Sequence, residues 1–296
     1  MTETDSPGIL DFTGERFTPE CVREIWYEHW HRYALAQPLV AGRRVLDAAC
    51  GEGYGSAFLA AAGARAVTGV DLDAQTIGHA RRRYGDRPGL DFREGSVAAL
   101  PLADASVDVV VSFETVEHLL EQEEMVAEFD RVLAPDGCLL VSSPDRHVYN
   151  ALGGGVANPY HVRELDRDEF TALLRPRFPA MRLYGQRLAF HSTVWAVEPA
   201  ASGGGEQLRM DAADGALRRG GDPAPVYWLA LCARSEAALP ALPALSVFSD
   251  TAQSIYAHYN QEIRRVIAGG QRILELEREL AALRARLASA RDPGPT

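Results

Sequence analysis

Residues Val45 to Ser56 read VLDAACGEGYGS, and this stretch decides the fold. A short apolar run ends at Asp47 and opens into Gly51, Gly53 and Gly55. That order predicts the end of a buried parallel strand, a tight turn and the start of a helix. Glycine lets the backbone turn sharply and approach a ligand that a side chain would displace. We therefore expect a bound ligand at this strand end.

The spacing of the glycines distinguishes between ligand classes. A dinucleotide fingerprint has the pattern G-x-G-x-x-G, whereas these glycines lie two apart and follow Asp47, an acid that would lie unfavourably against a pyrophosphate. Further on, VTGVDLD at 67–73 predicts a second buried strand that ends at Asp71, from where a carboxylate can bind both ribose hydroxyls. An acid, a glycine loop and a second acid favour a cationic aminoacyl nucleoside without phosphates.

Several motifs in a fixed order resemble the class I S-adenosylmethionine-dependent methyltransferases, over roughly Val45 to Phe170. VLDAACGEGYGS resembles the first motif of that family and GVDLD the second. EGSV at 94–97, followed by LPL at 100–102, resembles the adenine-side turn of the family. DVVVS at 108–112 resembles the fourth strand. RVLAPDGCLLV at 131–141 resembles the helix, turn and fifth strand that follow. The family usually has Asp where this chain has Ser96, so the Ser96 hydroxyl or the backbone of Val97 would serve the adenine amino group.

The resemblance implies an α/β fold with a doubly wound, mostly parallel seven-stranded sheet, Rossmann-like, with the ligand at the carboxyl ends of the strands. It also implies S-adenosylmethionine as cofactor. The positions implied to bind the cofactor are Asp47, Ala49, Gly51, Gly53, Asp71, Leu72, Ser96, Val97, Phe113 and Arg16. For Arg16 the role would be to clamp a carboxylate, and an ordinary surface arginine is the alternative.

The chain divides into three predicted parts. Residues 1–38 form an arm and a helix that covers the cofactor, and the helical spacing runs from Glu20 to Gln37, with Pro38 ending it. On this helix Trp30 and Tyr33 are expected in the core, with lining of the pocket as the alternative. Residues 39–235 form the methyltransferase domain, with a helix at 167–174, closing antiparallel strands at 182–197 and 226–234, and a flexible insertion at about 200–225.

The third part, residues 250–291, is a C-terminal helical segment. Three-four spacing, with Glu and Arg in the intervening positions, predicts a short coiled coil interrupted at Gly269-Gly270, with the seam Val266, Ile273, Leu276, Leu280, Leu283 and Leu287. Such a segment would join a second copy or a partner protein. A lone helix packed on the domain is the alternative.

A possible catalytic set follows the fourth strand in FETVEHL at 113–119. Glu114, Glu117 and His118 stand at i, i+3 and i+4, which on a helix places two carboxylates and an imidazole on one face. This E-x-x-E-H pattern resembles the metal-binding set of the ubiquinone-pathway O-methyltransferases and of the small-RNA 2′-O-methyltransferases. In the latter a histidine beyond the fifth strand completes the site, and His161 in NPYH occupies a comparable place.

Two interpretations of this set stay open. Glu114, Glu117, His118 and His161 would together hold Mg²⁺ or Mn²⁺, which would lower the pKa of an acceptor hydroxyl. Alternatively no metal binds, Glu114 faces the cofactor, and His118 or His161 acts alone as general base. In both cases the catalytic residues are His118, His161 and Glu117.

Composition restricts the acceptor. The 296 residues carry a formal net charge of −11, which argues against a nucleic-acid partner. Four cysteines without paired spacing, and no signal peptide or long apolar span, lead us to expect a cytoplasmic protein.

The function expected is O-methylation of a sugar, glycan or small-molecule hydroxyl. GERFTPE at 14–20, EHWHRY at 28–33 and NPYH resemble bacterial methyltransferases of surface-polysaccharide biosynthesis. One alternative is O-methylation of a natural-product phenol. Another is a non-catalytic module that binds S-adenosylmethionine and assembles through its coiled coil.

Overall fold

Seven strands form one sheet in a computed structural model that describes residues 24–152, 154–155, 158–194, 207–210, 216–220 and 223–291. The strands of the sheet are β1 Arg44–Ala48, β2 Ala66–Asp71, β3 Leu90–Glu94, β4 Val107–Ser112, β5 Leu133–Pro144, β6 Ala180–Gln186 and β9 Tyr227–Ala233. Their order across the sheet is β3-β2-β1-β4-β5-β9-β6. Neighbours from β3 to β5 pair in parallel, and β9 runs antiparallel to both β5 and β6.

Helices alternate with the parallel strands and cover both faces of the sheet. They are α1 Glu24–Val40, α2 Tyr54–Ala61, α3 Ala74–Tyr84, α4 Gln122–Val132, α5 Arg146–Leu152 and α6 Arg167–Leu174. Alternate residues of the central strands point to opposite faces, as the period of a strand requires. Val45 and Val109 pack with residues of α1, α2 and α3 in one core, and Leu46 and Val110 pack with residues of α4 and α6 in a second core. The predicted doubly wound, mostly parallel sheet is confirmed.

Two predicted element boundaries are corrected. The first helix does not end before Pro38 but continues to Val40. A proline in the last turn removes only one N–H from the helix, so two further residues can keep helical geometry. Of the predicted strand at 182–197, the structure forms Ala180–Gln186, and the residues from Arg187 to Val194 have no regular pairing. Residues 195–197 lie outside the described residues.

Within the predicted insertion at about 200–225, residues 207–210, 216–220 and 223–225 are among the described residues. Strands β7 Leu208–Met210 and β8 Leu217–Arg219 pair antiparallel as a separate two-stranded ladder. The other predicted strand of the closing pair, at 226–234, is confirmed as β9. Residues 1–23, including Arg16, lie outside the described residues.

A second compact unit comprises residues Phe248 to Thr296. Its helix α7, Ser254–Arg291, runs without interruption through Gly269 and Gly270. The expected break at these glycines is therefore absent from the helix itself. Among the helices of the described residues, none is both long and apolar enough to cross a membrane.

Candidate active site

Asp47 lies at the carboxyl end of β1, in the centre of the sheet, and its side chain is buried. Its carboxylate accepts hydrogen bonds from the Ser56 hydroxyl at 2.6 Å and from the Tyr33 hydroxyl at 3.1 Å. Burial raises the pKa of Asp47 to about 6, although these hydroxyls lower it and nearby Asp71 adds to the increase. The structure thus places a carboxylate of raised pKa, held by two hydroxyls, beside the glycine loop.

The loop after β1 turns through left-handed backbone conformations. Ala49, Gly51 and Gly53 have φ of 59°, 54° and 91°. The Gly51 N–H donates to Asp71 Oδ2 at 2.9 Å, and the Asp73 N–H donates to Asp71 Oδ1 at 3.0 Å. Asp71 therefore ties the glycine loop to the end of β2, and the two acids predicted to bind one ligand lie on connected loops.

The three glycines serve different purposes, which corrects the expectation that all three make room for a ligand. A Cβ on Gly55 would lie 2.0 Å from the Tyr33 ring, and one on Gly53 would lie 2.7 Å from the Phe92 ring. These two positions are glycine because the protein packs against itself there. A Cβ on Gly51 would meet no atom within 4 Å, so Gly51 is the glycine that faces open space.

The positions implied to contact adenine surround the same strand ends. Leu72 directly follows β2 and is 73% exposed, whereas Val97 and Phe113 are buried. The Ser96 hydroxyl accepts a hydrogen bond from the Ala98 N–H at 3.1 Å, which fixes the turn after β3. An exposed leucine beside a turn whose backbone is held by a side-chain hydrogen bond is suited to contact a flat apolar ring.

Glu52, between two of the glycines, has a structural role that sequence reasoning missed. Its side chain is 1% exposed and pairs with His79 Nε2 at 3.0 Å and with Arg83 at 3.2 Å. The Tyr84 hydroxyl donates to Glu52 Oε1 at 2.9 Å. This carboxylate therefore fastens the loop to α3. The local sequence carries no signal for this contact, because its partners lie on another helix.

The predicted helical face after β4 is not formed. Only Val116–His118 make a turn of 3₁₀ helix, and Glu114 has a left-handed φ of 51°. Glu114 Oε1 accepts from the Ser142 hydroxyl at 2.8 Å and lies 3.4 Å from Arg32 Nη2. Among the described residues, the group of potential metal ligands here omits Glu114. The i, i+3, i+4 spacing failed because it presupposes α-helical geometry from Glu114 onward, and the backbone reverses at that residue.

The other three residues do come together. Glu117, His118 and His161 each offer one ligand atom, and these atoms lie within 4.8 Å of one another. The Glu117 side chain is fully buried, and its backbone carbonyl accepts from the N–H groups of Val162 and Arg163. Those two hydrogen bonds attach the NPYH loop to the turn after β4, which is how His161 reaches a residue far away in sequence.

Hydrogen bonds orient both imidazoles. His118 Nδ1 lies 3.0 Å from the Tyr160 carbonyl, and His161 Nδ1 lies 2.6 Å from Glu164 Oε1. Because both partners only accept, each Nδ1 carries a proton. His161 Nε2 lies 3.1 Å from the side-chain nitrogen of Asn158. Glu164 was not predicted, and only its position three residues after His161 could have suggested it.

A charged and aromatic wall borders this cluster. Arg32 is 1% exposed, donates to Gln186 Oε1 at 2.8 Å, and lies over the Tyr227 ring at 4.3 Å. The Tyr227 hydroxyl donates to Glu28 at 3.3 Å, and burial raises the pKa of Glu28 to about 7. Tyr149 joins the two regions, since its ring lies 5.2 Å from that of His161 and 6.0 Å from that of Tyr227.

The helix that supplies Tyr33 and Arg32 therefore takes part in the site. Tyr33 is buried in the core, as expected, and its hydroxyl also reaches Asp47. Trp30 packs against the rings of Tyr54 and Phe58 at 5.2 and 5.5 Å, also as expected of a core residue.

Part of this chain is similar to known methyltransferases. The family described as methyltransferase domain matches residues 46–141. A probable S-adenosylmethionine-dependent methyltransferase of Mycolicibacterium smegmatis is 45% identical over 170 residues, which are 57% of this chain and 65% of the relative. One of Mycobacterium tuberculosis is 43% identical over 173 residues, covering 58% of this chain and 62% of the relative.

A more distant relative is phthiotriol/phenolphthiotriol dimycocerosates methyltransferase 1 of Mycobacterium ulcerans, 38% identical over 112 residues that cover 38% of this chain and 41% of the relative. The chain spans less than two thirds of the length of the relatives it matches. Residues 46–141, which run from β1 into β5 and include the glycine loop, are thus similar to a methyltransferase domain. The most extensive of these similarities are to proteins named as probable S-adenosylmethionine-dependent methyltransferases.

Proposed function

We propose that this protein binds S-adenosylmethionine at Asp47, Gly51 and Asp71 and transfers its methyl group to a hydroxyl of a sugar, glycan or small molecule. The observation that supports this most is the buried pair of His161 and Glu164, which lies with His118 and Glu117 beyond the carboxyl ends of β4 and β5. Cofactor residues follow β1 and β2 at the same edge of the sheet. Parallel α/β sheets bind their ligands at that edge.

The cofactor residues suit a positively charged nucleoside. The buried Asp47 carboxylate would favour the cationic methionine part, and Asp71 has the position from which the ribose hydroxyls are bound. Gly51 gives a ligand room to approach the backbone, since no atom lies within 4 Å of its missing side chain. The exposed Leu72 would contact the adenine ring.

Methyl transfer is an in-line displacement in which the sulfonium leaves as a neutral thioether and the acceptor hydroxyl loses its proton. His161 is suited to take that proton, because its Nδ1–H is held by Glu164 at 2.6 Å. The acceptor hydroxyl would replace the Asn158 side-chain nitrogen, 3.1 Å away, as the hydrogen-bond partner of Nε2. Glu164 would stabilise the resulting imidazolium and keep the ring oriented. A base positioned in this way contributes a factor of about 10² to 10⁴ to the rate.

The same cluster fits a divalent cation. One carboxylate and two imidazoles converge, and both imidazoles are oriented by hydrogen bonds at Nδ1, as metal-bound histidines commonly are. Glu117, His118 and His161 would hold Mg²⁺ or Mn²⁺, without Glu114. A bound ion would lower the pKa of an acceptor hydroxyl.

The wall beside His161 supports a polyhydroxylated acceptor. The half-buried Tyr149, whose ring lies 5.2 Å from that of His161, offers an aromatic face on which a sugar ring can stack, and the half-buried Glu28 offers a polar group on the neighbouring wall. Tyr227 and Arg32 are themselves buried, and they support this wall because Tyr227 contacts both Tyr149 and Glu28 while Arg32 covers the Tyr227 ring. An aromatic face beside a polar group suits a ring that is apolar on its faces and polar at its rim. A phenol would use the aromatic face and leave the polar group unused.

The test is incubation of the full chain with methyl-labelled S-adenosylmethionine and separate panels of sugar nucleotides, glycans and phenols, followed by mass spectrometry. We expect a product whose mass increases by one methyl group on a sugar hydroxyl. His161→Gln should lower the rate about 10²-fold or more while cofactor affinity stays unchanged. The control is His147→Gln, since the His147 side chain is 71% exposed.

Three results would contradict the proposal or part of it. Cofactor binding without methylation of any acceptor would favour the non-catalytic module. Methylation of phenols alone would overturn the sugar acceptor. Full activity after exhaustive chelation would remove the metal and leave His161 as the base, whereas loss on chelation with recovery on adding Mg²⁺ or Mn²⁺ would support it.

A further inference from the structure

We propose that helix α7 forms a two-stranded coiled coil with a second copy of this chain, and that residues Ile273 to Leu287 form its seam. This inference does not depend on the proposed catalytic function. It is carried by the exposure of one apolar stripe and by the charges that flank it. The seam consists of Ile273, Leu276, Leu280, Leu283 and Leu287.

The seam is solvent-exposed in the single chain. Its five side chains are 58%, 46%, 47%, 53% and 59% exposed in sequence order. They alternate in steps of three and four residues, which places them in one line along the helix. A continuous row of exposed aliphatic side chains in a soluble protein marks an interaction surface.

The stripe also continues toward the start of the helix. Because α7 runs unbroken through Gly269 and Gly270, the three-four spacing extends upstream from Ile273. The alternation is irregular at one point, since the step from Ile273 to Leu276 is three residues where four would be regular. The upstream members are Tyr256, Tyr259, Ile263, Val266 and Gly270. Two glycines inside a helix disfavour it in isolation, so association with a second helix would help to keep all 38 residues helical.

The flanking charges identify the partner as an identical helix. The positions beside the seam are occupied by Arg272, Glu277, Glu279, Arg284 and Arg286. Along the helix, the glutamates flank the middle of the seam, and the arginines flank its two ends.

Two identical helices in parallel would place Arg272 opposite Glu277 and Glu279 opposite Arg284 of the second copy. In an antiparallel pair that aligns Leu280 with Leu283, Glu277 meets Arg284 and Glu279 meets Arg286. Opposite charges therefore meet in both orientations. This self-complementarity favours a second copy over a partner of uniform charge.

The experiment is a measurement of molar mass by sedimentation equilibrium over a range of concentrations. We expect the full chain to show twice its mass of 32.2 kDa. The double variant Leu280→Glu with Leu283→Glu should have the mass of one chain at the same concentration. The matched control is Ala281→Glu with Ala282→Glu, which adds the same charge one position away from the seam and should remain a dimer.

A second variant tests the flanking charges without altering the seam. Arg284→Glu creates like-charge pairs in either orientation, so we expect the dimer dissociation constant to rise about tenfold at low salt and less at high salt. Circular dichroism and cofactor binding would show that each variant is folded. A wild-type chain of single mass at every concentration overturns the inference. So does a seam variant that stays dimeric, or an off-seam control that dissociates equally.

Discussion

Replacing Asp47 by asparagine should make the cofactor-free protein more stable while weakening the binding of S-adenosylmethionine. The carboxylate is 1% exposed, and burial raises its pKa from 3.8 to about 6. A raised pKa means that the folded protein holds this proton more tightly than the unfolded chain does. Stability therefore falls as pH rises from about 4 to above 6, and stays reduced at higher pH.

The size of the effect follows from the pKa difference. A shift of about two pKa units corresponds to about 3 kcal/mol of destabilisation at pH 8. Asparagine carries no charge and so avoids this term, but it accepts more weakly from the Ser56 and Tyr33 hydroxyls, which costs about 1 kcal/mol. The variant should therefore gain about 2 kcal/mol at pH 8 and lose about 1 kcal/mol below pH 4, where the wild-type carboxyl is protonated too and only the weaker acceptance remains.

Urea denaturation of the cofactor-free protein at pH 4 and pH 8 measures this difference. Asp136→Asn, at an exposed residue of β5, is the matched control and should change stability little at either pH. Isothermal titration with S-adenosylmethionine should show at least a tenfold loss of affinity in the Asp47 variant, because the cation loses its carboxylate partner. Wild-type affinity should fall below about pH 6, whereas the affinity of the variant should not.

Two results would refute this reasoning. An asparagine variant less stable than the wild type at pH 8 would show that the buried carboxylate stabilises the fold. Unchanged cofactor affinity would show that Asp47 does not act on the ligand.

Further predictions concern the glycine loop, and denaturation in urea checks each of them. Gly53→Ala should destabilise the protein by about 2 to 4 kcal/mol, because its φ is 91° and a Cβ would lie 2.7 Å from the Phe92 ring. Gly42 has a φ of 70°, and a Cβ there would meet no atom within 4 Å, so Gly42→Ala should cost only the strain of a left-handed backbone, about 1 to 2 kcal/mol. Equal losses of stability in the two variants would show that the contact with Phe92 adds nothing. Glu52→Gln should cost about 3 kcal/mol because Arg83 loses its carboxylate partner and His79 loses a strong hydrogen-bond acceptor. At low temperature, where the Glu52→Gln variant stays folded, its cofactor affinity should match that of the wild type. A loss of affinity in the folded variant would instead assign Glu52 to the ligand.

Much of the fold could be predicted because its signals are local. The apolar runs that end at Asp47 and Asp71 gave two parallel strands and the turn after the first, and the structure has both. Strand and helix alternation gave the doubly wound sheet, since short connections leave few ways to order parallel strands. Boundaries were less predictable, as Pro38 shows, because tertiary packing stabilises residues beyond a local helix breaker.

Amino-acid sequence alone thus determined the glycine loop, its two acids and the edge of the sheet where a ligand would bind. Only the tertiary structure decided which side chains share the site. It separated Glu114 from Glu117 and His118, because the backbone turns left-handed at Glu114. It brought His161, oriented by Glu164, to the same cluster through hydrogen bonds to the Glu117 carbonyl. Spacing along a chain predicts neighbours only where the secondary structure is regular, and this site is built where it is not.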